Sequence, residues 1–317
     1  MSALAINSIT LTLAERIQVA VSSFKGVFSL QVLYNMFPEE KESTIRGRVY
    51  RELIGKGVVT KEGRGLYSFK GVNGEEGLIL NGDARKLDVI ESESIDLIIA
   101  DHPYPIQKGS NRNSNSSYID TTFEYTAEDF ESKARVLKKG AFLVEFLPEM
   151  KETNIEYIMK VLTLAKKAGF NFYCKVPWFK AEIRDGRLID GSAFVGRKAV
   201  MEEVYIFSKG TPRKLRVRKQ GESKRIESGA KSMLPAVFME SPVAPSRKVH
   251  QAQKPLKLLQ KIIDSLSRET EVVLDQFAGS FVTFWASISL NRRAIAIEIN
   301  EDFIEKQLDS ITGKKND

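Results

Sequence analysis

From Leu78 to about residue 312, short apolar runs such as "IDLIIA", "VVLD" and "AIAIEI" alternate with stretches whose apolar residues recur at helical spacing, among them "FVTFWASISL". Runs of that length read as buried strands, and strands alternating with helices predict a doubly wound α/β domain over 78–312. The first 70 residues carry a different pattern. Leu13 to Phe24 has helical periodicity, "SLQVLYNMF" reads as a short helix capped by Ser29, and "STIRGRVYRELIGKG" reads as a third that starts at Ser43 or Thr44 and stops at Gly57. Ile45, Val49 and Leu53 share one face of that third helix, which turns Arg46, Arg48, Arg51 and Lys56 outward. "GVVTKEGRGLYSF" follows as two strand-like runs around a glycine turn, and "GVNGEEG", residues 71–77, reads as a linker.

Three helices and a hairpin over 1–72 resemble a winged helix-turn-helix domain, with the third helix as the reader of DNA and Lys61 to Gly65 as the wing tip. The same fold also serves as a docking module, so its basic face is a candidate nucleic-acid surface and no more. Two polar tracts interrupt the α/β pattern: Gln107 to Ser117, which contains Lys108 and Arg112, and Thr211 to Ser232. Neither has enough apolar residues to pack well, and both are expected to order on a partner.

Composition narrows the class. With 42% hydrophobic and 28% charged residues the chain has the balance of a soluble globular protein, and no run approaches the ~18 apolar residues of a membrane span. The N-terminus has no basic segment followed by a long apolar one, so no secretory leader is expected. The lone Cys174 cannot form an internal disulfide, which suits a cytoplasmic setting. The net charge of +7 is concentrated, because Ser208 to Lys261 holds 14 Lys and Arg against three acids. Arg213, Lys214, Arg216 and Arg218 open that segment, and they are candidates for phosphate contact.

Candidate chemistry gathers at strand ends, where open α/β sheets bind their ligands. "SIDLIIADHPY" places Asp101 after a strand, "EVVLDQFAGS" places Asp275 and Gly279 after another, and "RAIAIEI" ends on Glu298, about 20 residues beyond Gly279. That spacing suits a carboxylate on a ribose diol beside a glycine turn. His102 and His250 are the two histidines, and with no cysteine or acid cluster at ligand spacing no metal is expected.

The order "LNGDARKL", "IDLIIADHPYP", "RVLKKGAFLV", "KAGFNFYCKVPWFK", "EEVYIFSKG", "VHQAQKP", "VVLDQFAGS" and "RAIAIEI" resembles the permuted, beta-group S-adenosylmethionine-dependent DNA amino-methyltransferases. The likeness covers about Leu78 to Leu308. It implies a Rossmann-like methyltransferase sheet, a basic target-recognition insertion at about 208–248, and double-stranded DNA as partner. The expected reaction is base flipping followed by methylation of adenine N6, with restriction-modification as a setting. A homodimer is left open, and nucleoid association follows from the substrate.

The resemblance also implies roles for residues. Asp101 and the main-chain carbonyl of His102 would accept the two hydrogens of the target amine, Pro103 would stiffen the turn, and Tyr104 would stack on the extruded base. Asp275, Phe277, Gly279, Ser280 and Glu298 would hold the cofactor, with Asp83 at the adenine edge and Lys254 near the methionine end. The family's usual Asp-Pro-Pro-Tyr and Asp-Pro-Phe-Ala-Gly-Ser-Gly are altered here, with His102 and Gln276 standing for prolines and Phe281 for the last glycine. A carbonyl is supplied by any residue type, and Pro103 still restricts His102. Phe281 has to point away from the pocket or fill it, so the competing reading is a DNA-binding protein that keeps the fold without the chemistry. An RNA methyltransferase is the third reading.

Overall fold

The computed structural model describes residues 13, 37–41, 44–45, 58–70, 75–104, 122–180, 183–184, 187–188, 201–218, 225–230, 233–243 and 253–305. Their strands are β1 (Val58–Gly63), β2 (Leu66–Lys70), β3 (Glu76–Asn81), β4 (Ile95–Ala100), β5 (Leu137–Pro148), β6 (Phe170–Phe179), β7 (Ile183–Arg184), β8 (Arg187–Leu188), β9 (Met201–Lys209), β10 (Lys214–Arg218), β11 (Arg225–Gly229), β12 (Phe238–Met239), β13 (Val272–Asp275) and β14 (Arg293–Glu298). The helices between them are α1 (Ala127–Val136), α2 (Ile155–Lys167), α3 (Leu256–Leu266) and α4 (Val282–Ser289). One ten-stranded sheet runs β1-β2-β3-β14-β13-β4-β5-β9-β6-β12, and β7-β8 and β10-β11 form separate hairpins.

The centre of the sheet is parallel. β3, β14, β13, β4 and β5 lie side by side in one direction, and β9 is inserted antiparallel between β5 and β6. A strand covered on both faces has no polar side to show, and every residue of β4 is buried. Its side chains feed two cores: Ile95 and Ile98 pack on the side that holds Phe130 and Ile158, while Leu97 and Ile99 pack on the side that holds Leu259 and Ile262, with a register irregularity between Ile95 and Leu97. The doubly wound α/β expectation is therefore realised.

The hairpin β1-β2 departs from expectation. The wing expected of a separate domain, it is hydrogen-bonded into the sheet instead, with β2 antiparallel to β3 from Leu66 opposite Leu80 to Lys70 opposite Glu76. Tyr67 and Phe69 are buried with Phe281, Phe284 and Trp285, and the Phe69 ring meets Trp285 edge-on at 5.6 Å. Gly77, read as part of a linker, is a packing glycine, since a Cβ there would lie 2.4 Å from Phe284 Cζ. Of the helices expected before the hairpin, Leu13, Thr44 and the buried Ile45 are described and are helical; Arg46, Arg48 and Arg51 lie outside the described residues, and the winged-helix reading rests on sequence.

Candidate functional site

β4 and β13 are neighbours, with Asp275 opposite Ile99, and the chain leaves them in opposite directions: from β13 through α4 to β14, and from β4 through α1 to β5. That is the switch point at which such sheets bind ligands. Asp101 and Asp275 end these two strands, so the sequence-predicted acids meet at one crevice.

Asp101 lies on a short turn. Its Oδ2 accepts from Lys254 Nζ at 2.5 Å, Lys254 also lies 3.3 Å from Glu202 Oε2, and Lys180 closes the chain at 2.7 Å from Glu202 Oε1. Burial pushes the Asp101 carboxyl up and Lys254 opposes it. Burial also works against the Lys254 charge, but Asp101 and Glu202 carry the ammonium above its ordinary value. Glu202 resists the upward push of burial and is held at about 2 by Lys254 and Lys180. Lys254, expected at the cofactor, is thus placed on Asp101.

The turn itself is compact. The His102 carbonyl accepts from the Tyr104 N–H at 2.9 Å, and the Pro103 carbonyl accepts from Phe123 at 3.0 Å. His102 is fully buried. Its Nε2 is bonded to the Tyr157 hydroxyl of α2, and its ring lies 4.0 Å from that of Tyr125, with Tyr104, Phe123 and Phe277 at 5.5, 5.7 and 6.4 Å. Beneath it, Glu145 of β5 accepts from Lys133 of α1 at 2.5 Å and from the Tyr125 hydroxyl at 3.0 Å, with both charged side chains fully buried. Burial, with Lys133 and Lys254 adding to it, holds the His102 pKa well below its ordinary value, so the ring is neutral.

Across the crevice, the glycine turn answers the question raised by Phe281. That residue caps α4 in the left-handed conformation, φ 58° and ψ 17°, which is a glycine's geometry. Its phenyl is fully buried in the core cluster with Tyr67, Ile79, Phe284, Trp285 and Ala278 of the turn. Gly279 has φ 48°, and Ser280 and Phe277 flank it, buried and half-buried. Glu298 accepts the Gly279 N–H at 2.7 Å and the Asn300 N–H at 2.8 Å, so the carboxylate spans the turn. Gln276 does what a proline cannot: its N–H bonds to the Ile99 carbonyl at 3.1 Å and its Nε2 to the Ala84 carbonyl at 2.8 Å. Burial pushes the Asp275 carboxyl up to about 8, against hydrogen bonds from the Phe284 N–H and the Thr283 hydroxyl, and its Oδ2 has no partner among the described residues. Asp83 accepts from the Arg85 N–H at 3.0 Å and closes its own turn, while Arg85 pairs with Asp129 and lies over the Phe123 ring.

The basic segment is divided. Arg213 does not face a phosphate: its guanidinium pairs with Glu271 at 2.7 and 2.8 Å and donates to the carbonyls of Asp96 and Leu266. These partners lie at the starts of β4 and β13 and the end of α3, the edge of the sheet opposite Asp101. Counting charges along the chain cannot reveal such a clip. Lys214 is exposed. The side chains of Arg216 and Arg218, and all of Lys108, Arg112 and His250, lie outside the described residues.

Sequence reasoning missed Lys133, Glu145, Tyr157 and Tyr125. A signal was present: Glu145 interrupts the apolar run "AFLVEFL", and Lys133 falls on the buried face of α1 with Phe130 and Val136. A charge in the middle of a buried strand needs a buried partner. Among the described residues no group of three or more His, Cys, Asp or Glu could hold a metal ion, and no helix is long and apolar enough to cross a membrane.

Comparison with known proteins shows the family. The profile of the DNA methylase family N6_N4_Mtase matches residues 95–309. The type II methyltransferase M.HpaI of Haemophilus parainfluenzae is 28% identical over 249 residues, spanning 74% of this chain and 75% of its own. The DNA adenine methyltransferase YhdJ of Escherichia coli K12 is 28% identical over 248 residues, spanning 73% and 81%. Among solved structures, the cytosine-N4-specific PvuII DNA methyltransferase superposes with a TM-score of 0.54 at 19% identity, over 76% of this chain and 87% of its own, a likeness of fold. A match over most of the chain, with the acids and the glycine turn assembled at one switch point, means that the chain belongs to the DNA methylase family of N6/N4 amino-methyltransferases.

Proposed function

We propose that this chain transfers the methyl group of S-adenosylmethionine to the N6 amine of adenine in duplex DNA. The observation that carries the reading is Asp101 just beyond the end of β4, hydrogen-bonded to the Lys254 ammonium, with the Asp275 glycine turn following the neighbouring strand at the switch point. The choice of adenine over cytosine rests on Asp rather than Ser at that position and on the likeness to an adenine methyltransferase. S-adenosylmethionine, when bound, supplies an electrophilic methyl group on a sulfonium. The residues fit it: the unpartnered Oδ2 of Asp275 suits its ammonium, the Glu298 carboxylate suits a ribose diol, and the Phe281 phenyl is turned into the core.

The target amine is a weak nucleophile because its lone pair is delocalised into the base. Lys254 occupies Oδ2 of Asp101, leaving Oδ1 and the His102 carbonyl to accept the two amine hydrogens and draw the nitrogen toward tetrahedral geometry. Asp101 then takes the proton that the new N–C bond displaces. The amine cannot be reached inside a duplex, and Tyr104 provides a surface for the extruded base. The test is incubation with methyl-labelled S-adenosylmethionine and mixed duplex DNA, followed by nucleoside analysis. N6-methyladenine is expected. N4-methylcytosine alone would move the acceptor to cytosine, and labelling of RNA but not DNA would favour an RNA methyltransferase. No methylated base together with no cofactor-dependent rise in melting temperature would favour the non-catalytic DNA-binding reading.

A further inference from the structure

The turn that carries Asp101 has a histidine where the family's pattern has a proline, and the substitution is not conservative in any ordinary sense. A proline at position 102 would fix φ there through its ring. His102 leaves φ freer, restricted mainly by Pro103. What it adds is a side chain that runs into the core and is held on several sides: Tyr157 bonds Nε2, Tyr125 lies against the ring at 4.0 Å, and Tyr104, Phe123 and Phe277 surround it. The remaining nitrogen, Nδ1, has no hydrogen-bond partner among the described residues and lies 3.9 Å from Glu145 Oε2. That carboxylate is in turn fixed by Lys133 and Tyr125. A carboxylate beside Nδ1 favours the tautomer with its proton there, which leaves Nε2 to accept from the Tyr157 hydroxyl.

Residue 102 sits directly between the two acceptors of the proposed reaction, the Asp101 carboxylate and its own carbonyl. We propose that the His102 imidazole is a positioning residue, gripped by Tyr157 and Tyr125 above the buried Lys133–Glu145 pair, which sets the two acceptors against the target amine in place of a proline's stiffness. The inference rests on the amino-methyltransferase reading. A buried ion pair beneath a loop costs desolvation that an apolar pair would avoid, and rigid support of the reacting groups is a return on that cost.

A double-mutant cycle tests it. Tyr157→Phe removes one hydroxyl and leaves the turn's sequence intact. It is expected to lower kcat about tenfold, with KM for S-adenosylmethionine and for DNA unchanged, because misplacement of groups that act in the transition state appears in kcat. In a His102→Pro background, which has no imidazole to grip, the same Tyr157→Phe change is expected to cost nothing relative to His102→Pro alone, whatever rate that single variant shows. If His102→Pro does not fold, His102→Ala is the second background, and Tyr157→Phe is again expected to be silent there. An independent readout is the 15N spectrum of His102, one of two histidines: a neutral Nδ1–H tautomer in wild type, changed by Tyr157→Phe. Equal cost of Tyr157→Phe in both backgrounds, or no cost in wild type with transfer intact, overturns this inference alone. Wild-type protein that methylates no nucleic acid overturns the functional reading and this inference with it.

Discussion

Asp275 should destabilise the protein that it equips, and replacing it by asparagine separates the two effects. Its carboxyl is buried with one oxygen unpartnered, and its pKa is pushed up to about 8 by burial, with Glu298 and Asp101 adding to the push. An unfolded aspartate ionises near 3.9. Between those values the native state holds a proton that the unfolded chain releases, so this residue's contribution to stability falls as pH rises through the window and levels off above about pH 8. The slope is at most about 1.4 kcal/mol per pH unit, or about 2.7 kcal/mol from pH 5 to pH 7. Relaxation of the site reduces this to on the order of 2 kcal/mol. Asp275→Asn keeps the shape and an acceptor for the Phe284 N–H and has no charge to lose. The variant is therefore expected to gain on wild type by that amount between pH 5 and pH 7, or roughly 3–6 °C in melting temperature. Urea unfolding of both proteins at pH 5, 6, 7 and 8 measures the difference, and S-adenosylmethionine titration of the same variant should show at least tenfold weaker binding. A stability difference that stays constant across this range would refute the reasoning, because only ionisation of residue 275 makes it pH-dependent.

Three further outcomes are expected. Lys133→Met, which leaves Glu145 buried without its cation, should cost about 3–5 kcal/mol in chemical unfolding, and adding Glu145→Gln should recover about half of that or more. Lys254→Met removes the cation that opposes burial at Asp101, so the acid limb of the kcat profile should move to higher pH while DNA affinity measured by fluorescence anisotropy stays within a few-fold. Phe281→Gly relieves a left-handed non-glycine, worth about 1–2 kcal/mol, but empties the site of a fully buried phenyl, worth about 3–5; the net expectation is destabilisation by about 2 kcal/mol in unfolding. Cofactor-induced stabilisation of the Phe281→Gly variant should be unchanged, since the phenyl lies in the core.

How much of this protein can be read from its chain differs between its parts. The buried strand "IDLIIA" and the glycine turn after "VVLD" are visible as strings, because a strand covered on both faces is apolar throughout and a turn at a strand end uses a narrow set of residues. The placement of Asp101 and Asp275 at the ends of neighbouring strands follows from the same strings once the sheet is doubly wound. The hairpin "VVTKEGRGLYSFK" was equally visible, but not its place: Tyr67 and Phe69 could serve as well under a wing as against Trp285, and only the approach of Phe284 to Gly77 decides between them.

The charges show the same division. Arg213 counts as one more basic residue in a basic run until Glu271, 58 residues on, closes a bidentate pair with it. His102 reads as a lost proline until α2 brings Tyr157 to its ring and β5 brings Glu145 beneath. By itself the sequence determined the alternation of strands and helices, the order of the motifs and the two acids at strand ends, because those depend on backbone periodicity and on neighbours a few residues away. Tertiary structure alone decided the partners of Arg213 and Lys254, the direction of Phe281 and the burial of His102, because a side chain's energy depends on what distant segments place within 4 Å of it, and no local pattern encodes that distance.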